Sequence, residues 1–361
     1  MSNRIDALRS GLGEIGCDAY FSVAPPTNQY LSGLLTHFME ISSVIVITAD
    51  EALFLCDFRY TEQAKSQVQG FEIREIKGNQ LTRGAELLEE LGVKKVAYDP
   101  GELTVAHFDL LQKAYTGELL PHATLISDLR VRKSPEEIDT IRAASQLAEG
   151  VLEDLIPTLR EGIPERELAA TFEFEFKKRG ATAPSFDTIA LFGARSSLPH
   201  GEPGDKRLER GDTVLLDFGC RKEGYCSDLT RTFAFGTIPG AWFEEIYAIV
   251  LNAQVSALQA VRPGASARQV DAVARDIITD AGYGDYFGHG LGHGVGIEIH
   301  EAPRLNTESD VTLEEGMVVT VEPGIYLPDR GGVRIEDLVV VTAEGCEVLT
   351  RSSKELRILN G

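Results

Sequence analysis

Apolar residues recur at helical spacing over 4–15, and they run continuously at 43–48 (SVIVIT) and 52–56 (ALFLC). The first pattern predicts an amphipathic helix and the other two predict strands. Helical spacing returns at 60–68 and 81–91, so the first third of the chain is an α/β segment. It carries no dense cluster of histidines or carboxylates. Ser134-Pro135-Glu136-Glu137 then combines an N-cap serine, a first-turn proline and a glutamate at the capping-box position. A helix to about 157 follows from this start. The domain boundary is placed near residue 130, giving an N-terminal α/β domain (1–130) and a second domain (131–361).

The second domain contains an internal repeat. LREGIPERELAA at 159–170 lies on VRPGASARQVDA at 261–272 at a constant offset of 102 residues. Arg160 meets Arg262, Gly162 meets Gly264, Leu168 meets Val270, Ala170 meets Ala272 and Gly180 meets Gly282. Each copy follows a long helical segment (134–157 and 241–260) and precedes β-type sequence. The expected architecture is α+β, with two αα-then-β halves packed pseudo-symmetrically in one domain.

Two hairpins carry the acidic residues that bear on chemistry. The segment 212–235 reads as two strands about a turn at Lys222-Glu223-Gly224. A register symmetric about Lys222 and Glu223 sets Asp217 directly opposite Asp228. The segment 318–341 is a second hairpin, whose register centred on Asp329 sets Glu322 opposite Glu336. Like charges in cross-strand register are destabilising, and apolar flanks add the cost of burial. Arg231 and Arg334 are near enough in sequence to neutralise one pair. Two such pairs in one domain call for metal ions instead.

Four of the seven histidines fall beside these hairpins. His200 precedes Asp217, while His289, His293 and His300 cluster in YFGHGLGHGVGIEIHE. Glycines at 288, 290, 292, 294 and 296 oppose a helix there and predict backbone lying close to a ligand or an adjoining strand. Carboxylates mixed with imidazole suit Mn, Co, Fe or Zn better than Ca or Mg. The cage Asp217, Asp228, His293, Glu322 and Glu336 can hold two divalent ions if some carboxylates bridge. Two ions at bridging distance activate a shared water and polarise a carbonyl.

Composition narrows the setting. The 361 residues are 43% apolar and 25% charged, as in ordinary globular proteins. A net charge of −21 disfavours nucleic acid or an anionic membrane as a standing partner. The five scattered cysteines make a poor disulfide framework and fit a reducing compartment. The N-terminal stretch has no apolar signal segment, and no apolar run is long enough to span a bilayer. The expected location is cytoplasmic.

Five segments together resemble the pita-bread metallopeptidases, in their aminopeptidase P and prolidase branch. They are LPHGEP (198–203), LLDFGCRKEGYCSDLTRTF (215–233), FGHGLGHGVGIEIHE (287–301), VVTVEPGIY (318–326) and GGVRIEDLVVVT (331–342). NQYLSG (28–33) and DFRYTEQA (57–64) resemble the creatinase/prolidase N-terminal domain. The resemblance implies that Asp217 binds one metal, Asp228 and Glu336 bridge both, and His293 and Glu322 complete the ligands of the other metal. It implies a metal-bridging hydroxide as nucleophile and Glu322 as the proton acceptor. His289 and His300 would contact substrate and stabilise the tetrahedral intermediate, His200 would line the proline side, and Arg334 would support the site. The implied reaction cleaves the bond between an N-terminal residue and a following proline. The implied ions are two, manganese first, and the implied assembly is a homodimer.

Several alternatives stand beside this reading. Methionine aminopeptidases share the catalytic fold but usually lack a domain like 1–130. Creatinase works without metal, and some relatives are non-catalytic binding modules; the complete ligand set argues against both. Within the preferred branch, an Xaa-Pro aminopeptidase is favoured slightly over an Xaa-Pro dipeptidase (prolidase). A dipeptidase needs a cation or a wall for the proline carboxylate, for which Arg59, Arg330 and Arg334 are candidates. The segment 34–43 does not decide between them.

Overall fold

The computed structural model describes residues 2–35 and 41–360 and divides into two compact units, Met1–Arg130 and Val131–Gly361. In the first unit six strands form one sheet. Their order is Glu72–Glu75, Ala52–Cys56, Ser43–Thr48, Ala19–Ser22, Lys95–Tyr98 and Glu118–Pro121. Ser43–Thr48 pairs antiparallel with both Ala52–Cys56 and Ala19–Ser22, whereas the remaining pairings are parallel. Every residue of Ser43–Thr48 is buried, which explains its unbroken apolar run. Helices Ser2–Ile15, Phe58–Gln67 and Gln80–Glu90 stand where helical spacing places them. The strands at 43–48 and 52–56 also match. The segment 34–43 falls partly outside the described residues.

The second unit starts as its capping box predicts. Ser134 accepts from the Glu137 amide, Glu137 reaches back to the Ser134 amide, and the helix Pro135–Leu155 follows. The helix ends two residues short of 157, where Pro157 lies in a 3-10 turn, Ile156–Thr158.

The repeat is present in the backbone. Helices Glu165–Lys178 and Ala267–Asp280 keep the offset of 102 at both ends. Gly162 and Gly264 share a left-handed φ, 86° and 80°. Each donates its N–H at 2.8 Å to a leucine carbonyl, Leu208 in one copy and Leu313 in the other. From there the offset becomes 105, and LERGDTVLLDFG (208–219) lies on LEEGMVVTVEPG (313–324). Asp217 and Glu322 are therefore equivalent positions, a match that the offset of 102 alone does not show.

Each half packs a helix pair on a sheet. Pro135–Leu155 and Glu165–Lys178 share a core with Ile189–Phe192, Thr213–Phe218 and Leu229–Phe235, through residues such as Phe172, Phe176 and Phe218. Ala241–Ala260 and Ala267–Asp280 share another with Val318–Val321 and Asp337–Val341. Burying two apolar faces in this way places the inner sheet edges, with their carboxylates, between the halves.

One register departs from expectation. Asp217 pairs with Thr230, not Asp228, and Arg221 pairs with Cys226. The reason is the turn: Glu223 and Gly224 both have positive φ (48° and 83°), so the two-residue loop centres between them, one position later than assumed. Asp228 keeps the parity of Thr230, so the two aspartates share a face as diagonal neighbours. In the second hairpin Gly324 pairs with Arg334 and Val321 with Asp337, so Glu322 and Glu336 face each other as expected.

Candidate metal centre

The two hairpins converge their carboxylates. One oxygen each from Asp217, Asp228 and Glu336 lies within 4.8 Å of the others. His293 Nε2 completes the group, 3.5 Å from Asp228 Oδ2 and 3.3 Å from Glu322 Oε1. Asp228 and Glu336 are almost wholly buried (4% and 1% exposed). Oδ1 of Asp217 is buried without a hydrogen-bond donor among the described residues. An anionic acceptor left empty in this way, at the focus of three further carboxylates and an imidazole, fits divalent ions that bind oxygen and nitrogen together.

Electrostatics agree. Burial drives the carboxyls of Asp228 and Glu336 well above the usual range, and the neighbouring carboxylates push the same way. Burial also raises Asp217, against the pull of Arg334. Glu322 goes the other way: its burial is outweighed by His293, which holds it at about 2. Of the two arginines considered as neutralising partners, Arg334 does reach the cluster, with Nη2 2.5 Å from Asp217 Oδ2. Arg231 points elsewhere, to Asp337 at 2.8 Å and to the carbonyls of Thr230 and Glu336. One guanidinium cannot balance four carboxylates, so the demand for cations stands.

The histidine segment behaves as its glycines suggest. A side chain at Gly292 would overlap the Thr320 carbonyl, and one at Gly294 the Ala302 carbonyl. The strand Gly292–Gly294 is thereby squeezed between Glu301–Leu305 and Val318–Val321. His293 is fixed by its amide, which donates to Thr320 Oγ1 at 3.0 Å. That hydroxyl in turn donates to Glu322 Oε1 at 3.0 Å.

His289 is held through both ring nitrogens. Nδ1 faces the Gly290 carbonyl at 2.8 Å and Nε2 meets the Tyr326 hydroxyl at 2.9 Å. A carbonyl can only accept, so Nδ1 carries the proton and Nε2 accepts from Tyr326. Burial depresses the basicity of His289, consistent with a neutral ring. His300 stacks edge-on against His293 at 4.4 Å, is open to the cavity, and is held at about 4 by partial burial and the charge of His293. His200 also lines the cavity. The loop bearing His289 is tied to the helix Ala267–Asp280, where buried Asp271 accepts from the Leu291 amide. Arg275 bridges Asp271 to the carbonyls of Phe287 and His289.

All the candidate site residues thus line one cavity of about 630 Å³, which also takes in Phe186, Asp187, Ile189, Ile299, Arg304 and Asn306. Three contributors were not anticipated from sequence. Tyr326 joins His289 to Arg334 (2.8 Å), and Thr230 bonds both Glu336 and Arg334. Arg304 pairs in register with His293 and has no salt-bridge partner among the described residues. Its position four residues after His300 was the available signal. Of the cations named from sequence, Arg334 is committed to Asp217, and Arg330 lines a separate depression beside Trp242. Arg59 belongs to the N-terminal unit, where it forks onto Asp57.

Comparison with known proteins agrees with this geometry. Residues 139–343 match the model of metallopeptidase family M24, and residues 4–132 match the creatinase/prolidase N-terminal domain. An Xaa-Pro dipeptidase of Pyrococcus furiosus is 40% identical over 358 residues, spanning 99% of this chain and 100% of that protein. The solved structure of an Xaa-Pro dipeptidase from Bacillus anthracis has a TM-score of 0.95 at 43% identity, with 99% of each chain covered. That of an X-Pro aminopeptidase from Thermotoga maritima scores 0.88 at 36% identity, covering 95% of this chain and 98% of that one. No helix among the described residues is long and apolar enough to cross a membrane. With its pita-bread second domain and its creatinase/prolidase-type first domain, the chain belongs to metallopeptidase family M24.

Proposed function

We propose that the protein is an Xaa-Pro dipeptidase working at a dinuclear centre held by Asp217, Asp228, His293, Glu322 and Glu336. The observation that carries the dipeptidase reading is Arg304. It stands on the cavity wall in register with His293, exposed and without a salt-bridge partner among the described residues. A guanidinium so placed suits a free carboxylate one residue from the scissile bond, by a charge-assisted and often bidentate contact. The proline ring lacks an N–H, so the apolar wall of Phe186, Ile189 and Ile299 leaves no donor unsatisfied.

Two divalent ions, when bound, activate water and polarise the scissile carbonyl. Asp228 and Glu336, the two most buried carboxylates of the cluster, would be held in common by the two ions, with an oxygen of each and one of Asp217 within 4.8 Å of one another and Asp228 3.5 Å from His293. Glu322 takes the proton of the attacking water; its low pKa in the metal-free site and its contact with His293 support an anionic form. His300, with its ring open to the cavity, meets the substrate, and His200 lines the cavity with it. His289 acts through Tyr326, whose hydroxyl meets its Nε2 and accepts in turn from Arg334.

The second reading, an Xaa-Pro aminopeptidase, is supported by the likeness to the Thermotoga maritima structure. One assay separates the two. Manganese-loaded protein is offered Leu-Pro and Leu-Pro-Gly side by side. Cleavage confined to Leu-Pro supports the dipeptidase, release of leucine from the tripeptide at a comparable rate overturns it in favour of the aminopeptidase, and hydrolysis of neither sinks both. Manganese as the resident ion, assembly as a homodimer and a reducing, cytoplasmic setting belong to the same proposal. The five free cysteines support the last of these. Metal analysis of purified protein and sedimentation check the first two.

A further inference from the structure

The loop that carries Pro199 and His200 to the cavity is fastened at both ends by one side chain. Glu165, at the start of the helix Glu165–Lys178, is fully buried (0% exposed). Its Oε1 accepts from the Phe192 amide at 2.8 Å, and its Oε2 accepts from the Gly204 amide at 2.8 Å. Phe192 and Gly204 are the two ends of the loop. Arg195, within the loop, forks onto the same carboxylate through Nε at 3.1 and 2.9 Å and donates from Nη2 to the Glu202 carbonyl at 2.6 Å. The far side of the loop rests on the second hairpin, where the Gly332 amide donates to Ser196 Oγ at 2.9 Å and Arg334 reaches the Pro199 carbonyl.

A buried carboxylate is costly unless its acceptors are filled, and here three donors, the Phe192 and Gly204 amides and Arg195 Nε, fill them. Among the described residues, neither Glu165 nor Arg195 bonds to a residue of the carboxylate cluster. The other half of the domain holds its own histidine loop in the same manner, with Asp271 and Arg275 gripping Phe287, His289 and Leu291. The two devices do not occupy repeated positions. The offset of 102 carries Glu165 to Ala267, one helical turn before Asp271. Each half thus anchors its cavity loop by a buried carboxylate and an arginine, built at different points on equivalent helices.

We propose that Glu165 and Arg195 are positioning residues for substrate: they set where Pro199 and His200 stand on the cavity wall, and so how tightly the substrate is held. The kinetic part of this inference rests on the Xaa-Pro reading; the structural part does not.

The test compares wild type, Glu165→Gln and Arg195→Lys as full-length, manganese-loaded proteins. Three readouts are taken: manganese stoichiometry by calorimetry, kcat and KM on Leu-Pro, and amide exchange across 192–204. Glutamine keeps one acceptor oxygen but releases Arg195. Lysine can reach Glu165 but cannot also span to the Glu202 carbonyl. The expected result is unchanged manganese binding, faster exchange across 192–204, and a rise in KM on the order of 10-fold for Glu165→Gln with kcat far less altered. Arg195→Lys is expected to show a smaller shift in the same direction. Faster exchange with unchanged KM overturns the proposal, as does a parallel loss of manganese binding and kcat, which marks a general structural role. If Glu165→Gln does not fold, Arg195→Lys carries the test, since that side chain is 38% exposed. If wild type leaves Leu-Pro intact, the Xaa-Pro reading fails, while unchanged exchange in both variants would separately dismiss the anchor.

Discussion

Arg334 Nη2 lies 2.5 Å from Asp217 Oδ2, so the second acidic hairpin supplies the counter-charge of the first. The same guanidinium holds Tyr326 and Thr230; burial works against its charge, but Tyr326, Asp217 and Glu322 outweigh it and make its proton still harder to lose. Replacing it with an uncharged Arg334→Met should unbalance the site in a way that metal can partly repair. Breaking a buried pair costs about 3–5 kcal/mol, so the chelated variant is expected to melt well below chelated wild type. Manganese should recover part of that loss, because added cations restore charge balance. Activity should fall on the order of 10- to 100-fold. Melting curves with and without chelator check the first claim; an equal deficit in both conditions would contradict it.

The raised carboxyls of Asp228 and Glu336 give the metal-free protein an unusual pH dependence. Their folded-state pKa values lie well above the ordinary 3.8 and 4.5, so the folded state binds these protons more tightly than the unfolded chain. Stability from these groups is full below about pH 4 and is lost as pH rises through their elevated values. Glu322 has the opposite sign. Its pKa of about 2 makes it a stabilising group above its ordinary 4.5, lost only as pH falls through about 2. The chelated protein is therefore expected to lose stability as pH rises above the ordinary carboxylate range and through the elevated values of these two groups, and saturating manganese should abolish the trend. Glu336→Gln removes one of the buried acids and should flatten the slope in chelator. That variant separates the effect from general repulsion at a net charge of −21. Thermal melts across the range, with and without chelator, supply the comparison.

Loss of a bridging carboxylate should be felt first in metal binding. Asp228→Asn and Glu336→Gln each keep the side-chain volume while removing a charge that the proposed bridging role would share between two ions. Both are expected to bind fewer than two manganese ions per chain by calorimetry. Activity should drop by more than the roughly 10- to 100-fold typical of residues outside the ligand set. A variant that retains most of its turnover would refute the bridging assignment.

How much of this was legible before any coordinates depends on whether a feature is local. The capping box at Ser134, the buried run at 43–48 and the hairpin about Asp329 follow from short-range rules, and all three match. The first hairpin failed by one turn position, because the left-handed Glu223-Gly224 turn sets a register that charge symmetry cannot reveal. The gathering of two acidic pairs with a histidine segment does not depend on that register, because Asp217 and Asp228 keep the same face. Tyr326, Thr230 and Arg304 were missed for a different reason. Their partners lie on other strands, as with Thr230 and Glu336 at 2.8 Å, and sequence spacing does not carry such meetings. The glycine alternation was readable because its cause is steric: Gly292 and Gly294 have strands against their backbones.

Arg304 offers the sharpest separation of substrates. If it receives the proline carboxylate, truncation to Arg304→Met should raise KM for Leu-Pro while the metal centre and kcat remain nearly intact. A hydrogen bond to a charged group contributes about 1.5–3 kcal/mol, which corresponds to a loss of roughly 10- to 150-fold in kcat/KM. Leu-Pro-amide lacks that carboxylate and so cannot use the contact. Wild type is expected to handle the amide poorly, and Arg304→Met should process Leu-Pro and Leu-Pro-amide at similar, low efficiency. Arg304→Lys keeps the charge but not the fork, and should fall between the two. Steady-state kinetics on both substrates decide it. A variant that still prefers the free dipeptide by the wild-type margin would remove Arg304 from recognition, and with it the main support for a dipeptidase over an aminopeptidase.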